Sequence, residues 1–225
     1  MQEQGLIGRL VGAMIRRSVR QRFHSVYLSK PNVLPKAPAI LYANHHGWMD
    51  GYLMFHLASE LGVECLDWIE EFDSFPLFAS VGGIRFPKDD SSGRASAIRR
   101  TIRLMKNEGK SLVLFPEGVL HRPPDLLPFG RALEVVAKSV PGVTLHPVSL
   151  RYELSMHERP EAWITLGESH TFESLQDCES RLALLMDHKS TIHHFNVMIC
   201  GRLDVNERMS MKRFSRDSGS FRQRP

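Results

Sequence analysis

Short apolar runs, each closed by turn residues, alternate along this chain with stretches of helical periodicity, and that alternation sharply limits the folds open to it. Ala39–Ala43, Ser111–Phe115, Val143–Leu150 and Ala162–Leu166 read as buried strands, and 23–30 (Phe23, Val26, Tyr27) and Val63–Trp68 as further ones. Between them, Trp48–Leu61 reads as an apolar helix closed by Gly62. A second helix, capped by Ser91 or Ser92, runs through Lys106 with Ala95, Ile98, Ile102 and Met105 on one face and ends at Gly109. Arg131–Val140 and 173–188 complete the helices. Phe72–Gly83 reads as irregular, and Pro123–Pro128 excludes a regular helix. The alternation predicts an α/β domain with a mixed, mostly parallel sheet flanked by helices. Such sheets place their chemistry beyond the C-terminal ends of strands, where Asn44–Asp50 and Phe115–Gly118 fall.

The ends differ from this body. Residues 1–24 hold five arginines against one glutamate, and 201–225 hold seven basic residues against three acidic ones; with a net charge of +4, the middle is mildly acidic. Residues 4–22 read as a basic amphipathic helix, with Leu6, Ile7, Leu10, Val11, Met14 and Ile15 at steps of three and four among arginines. Two readings stay open for it: attachment to an anionic membrane surface, or docking of the apolar face on the domain. Nucleic acid is not expected, because no aromatic residue stands among the basic ones of this end for bases to stack on. The expected organisation is a membrane-associating helix over 1–22, a catalytic domain over 23–200 and a loose basic tail over 201–225.

With 42% hydrophobic residues, disorder throughout is excluded. Cys65, Cys178 and Cys200 form no close pair, which excludes a disulfide scaffold and points to a reducing compartment. No stretch is long and apolar enough to span a membrane, and Arg9, Arg16 and Arg17 interrupt the only N-terminal apolar segment, unlike a signal peptide. The expected location is cytoplasmic, peripheral on the inner face of the membrane.

The residues with chemistry begin at Asn44-His45-His46-Gly47-Trp48-Met49-Asp50. His45 and Asp50 are five apart, an offset of ~140° on a helix and opposite faces on a strand. They meet only across a bend, which a strand-to-helix junction centred on Gly47 supplies. A carboxylate on the imidazole Nδ1–H would fix the tautomer and leave Nε2 as a base. Two other readings remain open: loop histidines beside an acid at a helix start, and a metal site joining His45, His46 and Asp50 to His56 or His193-His194. No Gly-x-Ser-x-Gly elbow and no phosphate-binding Gly-x₄-Gly-Lys loop occurs, against an α/β-hydrolase and a nucleotide hydrolase.

Further along come Gly82-Gly83-Ile84-Arg85-Phe86-Pro87-Lys88, Phe115-Pro116-Glu117-Gly118 and Val143-Thr144-Leu145-His146-Pro147-Val148. With the His-x₄-Asp segment, these four blocks resemble the glycerol-phosphate and lysophosphatidate acyltransferase family in order and spacing, over about residues 23–170. The resemblance implies transfer of a fatty acyl group from acyl-CoA or acyl carrier protein to a hydroxyl, usually on a glycerolipid. No cofactor is implied beyond that thioester co-substrate, and no metal. It implies His45 as catalytic base and Asp50 as its orienting partner. Glu117 and Gly118 would belong to the acceptor site, Gly83 and Lys88 to the block gripping an acceptor phosphate, and Pro147 to the block near the acyl chain.

This chain departs from the family in three places. Gly47 stands where the family usually has serine, Lys88 where it has arginine, and Val119-Leu120-His121-Arg122 follows Gly118 where Thr or Ser and Arg are usual. Lysine lacks the bidentate fork of arginine, and Arg85 and Arg122 are the candidate substitutes on the acceptor side. A glycolipid or amino-lipid acceptor therefore stays open beside a lysophospholipid, as does hydrolysis of a thioester or ester by the same pair, or lipid binding without catalysis. Cys65, Cys178 and Cys200 read as buried or incidental, His193-His194 as structural or surface, and Trp48 and Trp68 as core. Arg99, Arg100, Arg103 and Lys106 read as a solvated helix face, or alternatively as a docking patch for the donor.

Overall fold

The computed structural model of the chain describes residues 5–187 and 194–210. His193 and the expected tail beyond 210 lie outside the described residues. In chain order the elements are α1 (Leu6–Arg22), β1 (Ser25–Ser29), β2 (Ala39–Ala43), α2 (Asp50–Leu61), β3 (Cys65–Ile69), β4 (Gly83–Arg85), α3 (Ser91–Glu108), β5 (Ser111–Leu114), α4 (Ala132–Ser139), β6 (Thr144–Glu153), β7 (Glu161–Leu166), α5 (Leu175–Met186) and β8 (Asn196–Cys200). Short 3₁₀ turns at Phe72–Ser74 and Pro76–Val81 fill the stretch read as irregular.

The strands form one eight-stranded sheet in the order β4-β3-β5-β2-β6-β7-β1-β8. The pairs from β4 through to β6 are parallel, as is β7 with β1; β6–β7 and β1–β8 are antiparallel. β2 is buried at every residue because both its faces are covered. Leu41 and Ala43 face the core under α1 and α2, while Ile40 and Tyr42 face the core under α3, α4 and α5. α2 ends at Gly62, whose φ of 68° is the left-handed conformation that glycine adopts without strain.

α1 carries two stripes, one docked on the domain and one exposed. Val11, Ile15 and Val19 are buried, and Gly12 is close enough to Phe55 of α2 that an added Cβ would stand 3.3 Å from the ring. Burying three such aliphatic side chains stabilises the docking by roughly 1.5–3 kcal/mol each. Leu6, Ile7, Leu10 and Met14 stay exposed beside the arginines, as does Leu77 on the neighbouring turn. His56 of α2 is buried with Nε2 unpartnered, and its pKa is lowered to about 4 by burial, with Arg16 and Arg20 adding to the effect.

Several expectations need correction. α3 is capped by Asp90, whose carboxylate accepts from the Gly93 N–H at 2.9 Å, rather than by either serine. The strand β8 was not expected; it pairs antiparallel on the outer edge of β1 and buries only Ile199, so little apolar pattern announces it. Nor is the chain loose immediately beyond 200. Gly201 and Arg202 N–H donate to His24 and Phe23 carbonyls, and a helical segment over 205–210 comes next. At its start Glu207 accepts from the Asp204 N–H at 2.8 Å, one half of a capping box. Asp204 also accepts from the Glu158 N–H and faces His157, and Glu207 faces His24. Trp48 is 65% exposed, stacked on Tyr52 with the Arg22 guanidinium above it, whereas Trp68 packs on Phe86 and donates to Thr101.

Candidate active site

β2 lies between β5 and β6, and all three run the same way, so the chain leaving β2 is flanked by the segment after β5 and by the last residues of β6. The register pairs Ala43 with Val148, yet β6 continues to Glu153. The end of β6 therefore overhangs the bend after β2. Asn44 ties the two together: its Nδ2 donates to the Leu150 carbonyl at 2.9 Å and its Oδ1 accepts from the Leu150 N–H at 2.8 Å.

The bend itself is closed by Asp50. The Asp50 N–H donates to the Gly47 carbonyl at 3.0 Å, and the Gly47 N–H donates to Asp50 Oδ2 at 2.8 Å. This reciprocal turn starts α2 at Asp50, two residues later than expected, and brings His45 Nδ1 to 2.9 Å from Asp50 Oδ2. The Asp50 side chain is 0% exposed and that of His45 25%. With the Nδ1 proton donated to the carboxylate, Nε2 carries the lone pair, and it has no hydrogen-bond partner among the described residues. The His45 ring stacks on Phe115 with centroids 4.3 Å apart.

Glu117 lies inside this structure. Its side chain is 0% exposed. Oε1 accepts from the His45 N–H at 2.8 Å, and Oε2 accepts from the Leu127 N–H at 2.8 Å and from His121 Nε2 at 2.5 Å. The His121 N–H donates in turn to the His45 carbonyl at 3.1 Å. The segment after β5 thus grips the backbone of His45 on both sides. Gly118 makes the turn that permits this, at φ 70°.

The remaining predicted residues are spread along the sheet and the loops beyond it. Gly83 opens the edge strand β4, three strands from β2, or ~14 Å at the usual strand spacing. Arg85 is paired with Asp73, which lowers the Asp73 carboxyl and raises the guanidinium. Lys88 and Arg122 are exposed, and the Lys88 carbonyl accepts from Arg94. Among the described residues, neither arginine nor Lys88 makes a hydrogen bond or ion pair with His45 or Asp50. Arg99, Arg100, Arg103 and Lys106 are exposed on α3.

Two groups were missed in the sequence. Tyr152, at the overhang of β6, donates its hydroxyl to Asp50 Oδ1. Burial, and then Asp50, raise its pKa, so it stays a donor. Asp67 on β3 faces the first turn of α2, 3.6 Å from where a Cβ on Gly51 would stand. Burial pushes its carboxyl up to about 7, with His45 opposing. No local motif marks either residue, since each is placed by a different strand.

The metal set weighed from sequence does not gather among the described residues. His46, Glu117 and His121 do stand together, but both His46 nitrogens are engaged, Nδ1 by Asn44 Nδ2 and Nε2 by the Asp125 carbonyl. His24, His157, Asp204 and Glu207 also cluster, with the two imidazoles stacked 3.4 Å apart and within 6° of parallel. Parallel rings do not aim their lone pairs at one point, which a shared ion requires.

The geometry has likenesses among known proteins. The family model described as Acyltransferase matches residues 25–151, more than half of the chain. The crystal structure of the 1-acyl-sn-glycerophosphate (LPA) acyltransferase PlsC from Thermotoga maritima superposes with a TM-score of 0.60 at 20% identity, covering 85% of each chain. No curated protein matches the chain. The likeness to PlsC is one of fold, and the mixed, mostly parallel sheet between two layers of helices is what the two share.

Proposed function

Since this chain belongs to the acyltransferase family, we propose that it moves a fatty acyl group from a thioester, acyl-CoA or acyl carrier protein, to a hydroxyl of a lysophospholipid or related lipid. The observation that carries this reading is His45 Nδ1 at 2.9 Å from a fully buried Asp50, with Nε2 unpartnered at the end of the sheet where α/β folds bind substrates. Asp50 holds the tautomer, and Nε2 takes the acceptor hydroxyl's proton as its oxygen attacks the thioester carbonyl. Backbone N–H groups at the start of α2 are the donors we assign to the oxyanion. Collapse expels the thiolate, which recovers the proton from His45, and no covalent enzyme intermediate forms. Glu117 serves the reaction from behind, by fixing the His45 backbone.

The acceptor grip is the less defined half. Lys88 and Arg122 remain exposed cations near the strand ends, while Arg85 is engaged by Asp73. A lysophospholipid is the reading we favour, with a glycolipid or amino-lipid as the alternative acceptor. We further propose that the enzyme works at an anionic membrane surface, on the inner face. Leu6, Ile7, Leu10 and Met14 expose apolar surface beside Arg9 and Arg17, the composition of an interfacial helix. No helix among the described residues is long and apolar enough to cross a membrane.

Mass spectrometry of products from long-chain acyl thioesters, with and without a panel of lysolipids, tests the reaction. Acylated lysolipid is expected. Free fatty acid formed at the same rate whether or not an acceptor is present would identify a hydrolase and overturn the proposal.

A further inference from the structure

Asp50 receives three donors, and only two of them come from its own loop. Oδ2 is shared between His45 Nδ1 and the Gly47 N–H, at 2.9 and 2.8 Å. Oδ1 is held by the Tyr152 hydroxyl, from a strand more than a hundred residues later. The carboxylate is fully buried, so water does not replace a lost donor.

Residue 47 is shaped around that hydroxyl. A Cβ on Gly47 would stand 2.6 Å from Cζ and 2.7 Å from the hydroxyl oxygen of Tyr152, distances that atoms do not tolerate. Gly47 has a second use here besides the bend, since its missing side chain is the space the phenol occupies. On the far side the Tyr152 ring stacks on the buried Phe23, centroids 5.8 Å apart and planes within 18°. The hydroxyl is therefore held from both sides, at the end of a strand that Asn44 fastens to the catalytic loop.

We infer that Tyr152 is a positioning residue for acyl transfer: its hydroxyl, admitted by Gly47, locks the orientation of the Asp50 carboxylate and moderates its hold on the His45 ring. The inference rests on His45 acting as the base. A donor on Oδ1 draws negative charge away from Oδ2. Without it, Oδ2 becomes the stronger acceptor, the imidazolium gains stability, and the carboxylate is freer to turn. The charged or titratable groups that face this pair from other elements are Asp67 from β3, and Glu117 and His121 from the segment after β5. All three stay in place when the hydroxyl is removed.

Tyr152→Phe deletes the hydroxyl and keeps the ring against Phe23 and Gly47. Three readouts are expected: the acid limb of the kcat/KM profile moves up by about half a pH unit or more, kcat falls ~10-fold, and the donor KM stays within about twofold. Gly47→Ser provides the reciprocal test. Alone it collides with the ring and loses most activity; in a Tyr152→Ala background the space is open, and a hydroxyl at 47 stands beside Asp50. The double variant is expected to exceed both single variants in kcat, a coupling that independent structural damage does not produce. An unmoved acid limb in Tyr152→Phe, or a loss of kcat with only a lower melting temperature, would overturn the inference. Activity retained by His45→Ala would overturn the base assignment as well. A dead His45→Ala beside an unaffected Tyr152→Phe would overturn this inference alone.

Discussion

Glu117→Gln separates a buried brace from an acceptor-binding residue. The native carboxylate satisfies three donors: the His45 N–H, the Leu127 N–H and His121 Nε2. A glutamine offers one carbonyl oxygen and an NH₂ in the same fully buried place. Whichever way the amide turns, it points donor at donor toward one backbone N–H, and an unmade buried bond of this kind costs ~1–3 kcal/mol. The charge-assisted bond to His121 is weakened too, by about 1.5–3 kcal/mol. Together these give about 2.5–6 kcal/mol, which for a chain of this size is a fall in Tm of roughly 5–24 °C. Circular dichroism melts measure it directly. In the transfer assay kcat is expected to fall, because the brace that ties the His45 N–H to the segment after β5 is loosened, while the acceptor KM stays near its native value. A native Tm combined with a raised acceptor KM would refute the brace and restore Glu117 to the acceptor site.

Two further outcomes concern the helix at the front of the chain. His56 titrates near 4 when folded and ~6.5 when unfolded, so the unfolded chain binds its proton first; stability is expected to fall by about 3 kcal/mol as pH drops from 6.5 to 4. His56→Leu should flatten that slope in urea titrations, and an unchanged slope would count against it. Replacing Leu6 and Leu10 with aspartate should abolish pelleting with vesicles rich in anionic phospholipid while leaving Tm unchanged, since both side chains are exposed. Undiminished pelleting would remove the membrane role of this face.

The layered α/β architecture was legible because fully covered strands leave continuous apolar runs and their connecting helices leave a 3.6-residue period. Ala39–Ala43 and α3 are the clearest cases. The approach of His45 to Asp50 was legible for a local reason: five residues close on themselves only across a bend, and Gly47 marks it. The contacts that escaped depend on how far one strand outruns another. Tyr152 reaches Asp50 because β6 continues beyond the level of Ala43, an overhang fixed by register and not by the residues near 152. The direction of Glu117 was hidden for the same reason, since its three donors come from three separate segments. At the margins, the edge strand β8 and the docked segment 201–210 bury few apolar side chains, and polar bonds that leave no periodic pattern hold that segment.

The most direct test is the transfer rate of His45→Ala at saturating thioester and lysolipid, set beside donor affinity measured by calorimetry. With His45 as the general base, kcat is expected to fall at least ~10²–10⁴-fold while donor affinity holds. A variant that transfers acyl groups at the native rate would contradict a base at the end of β2.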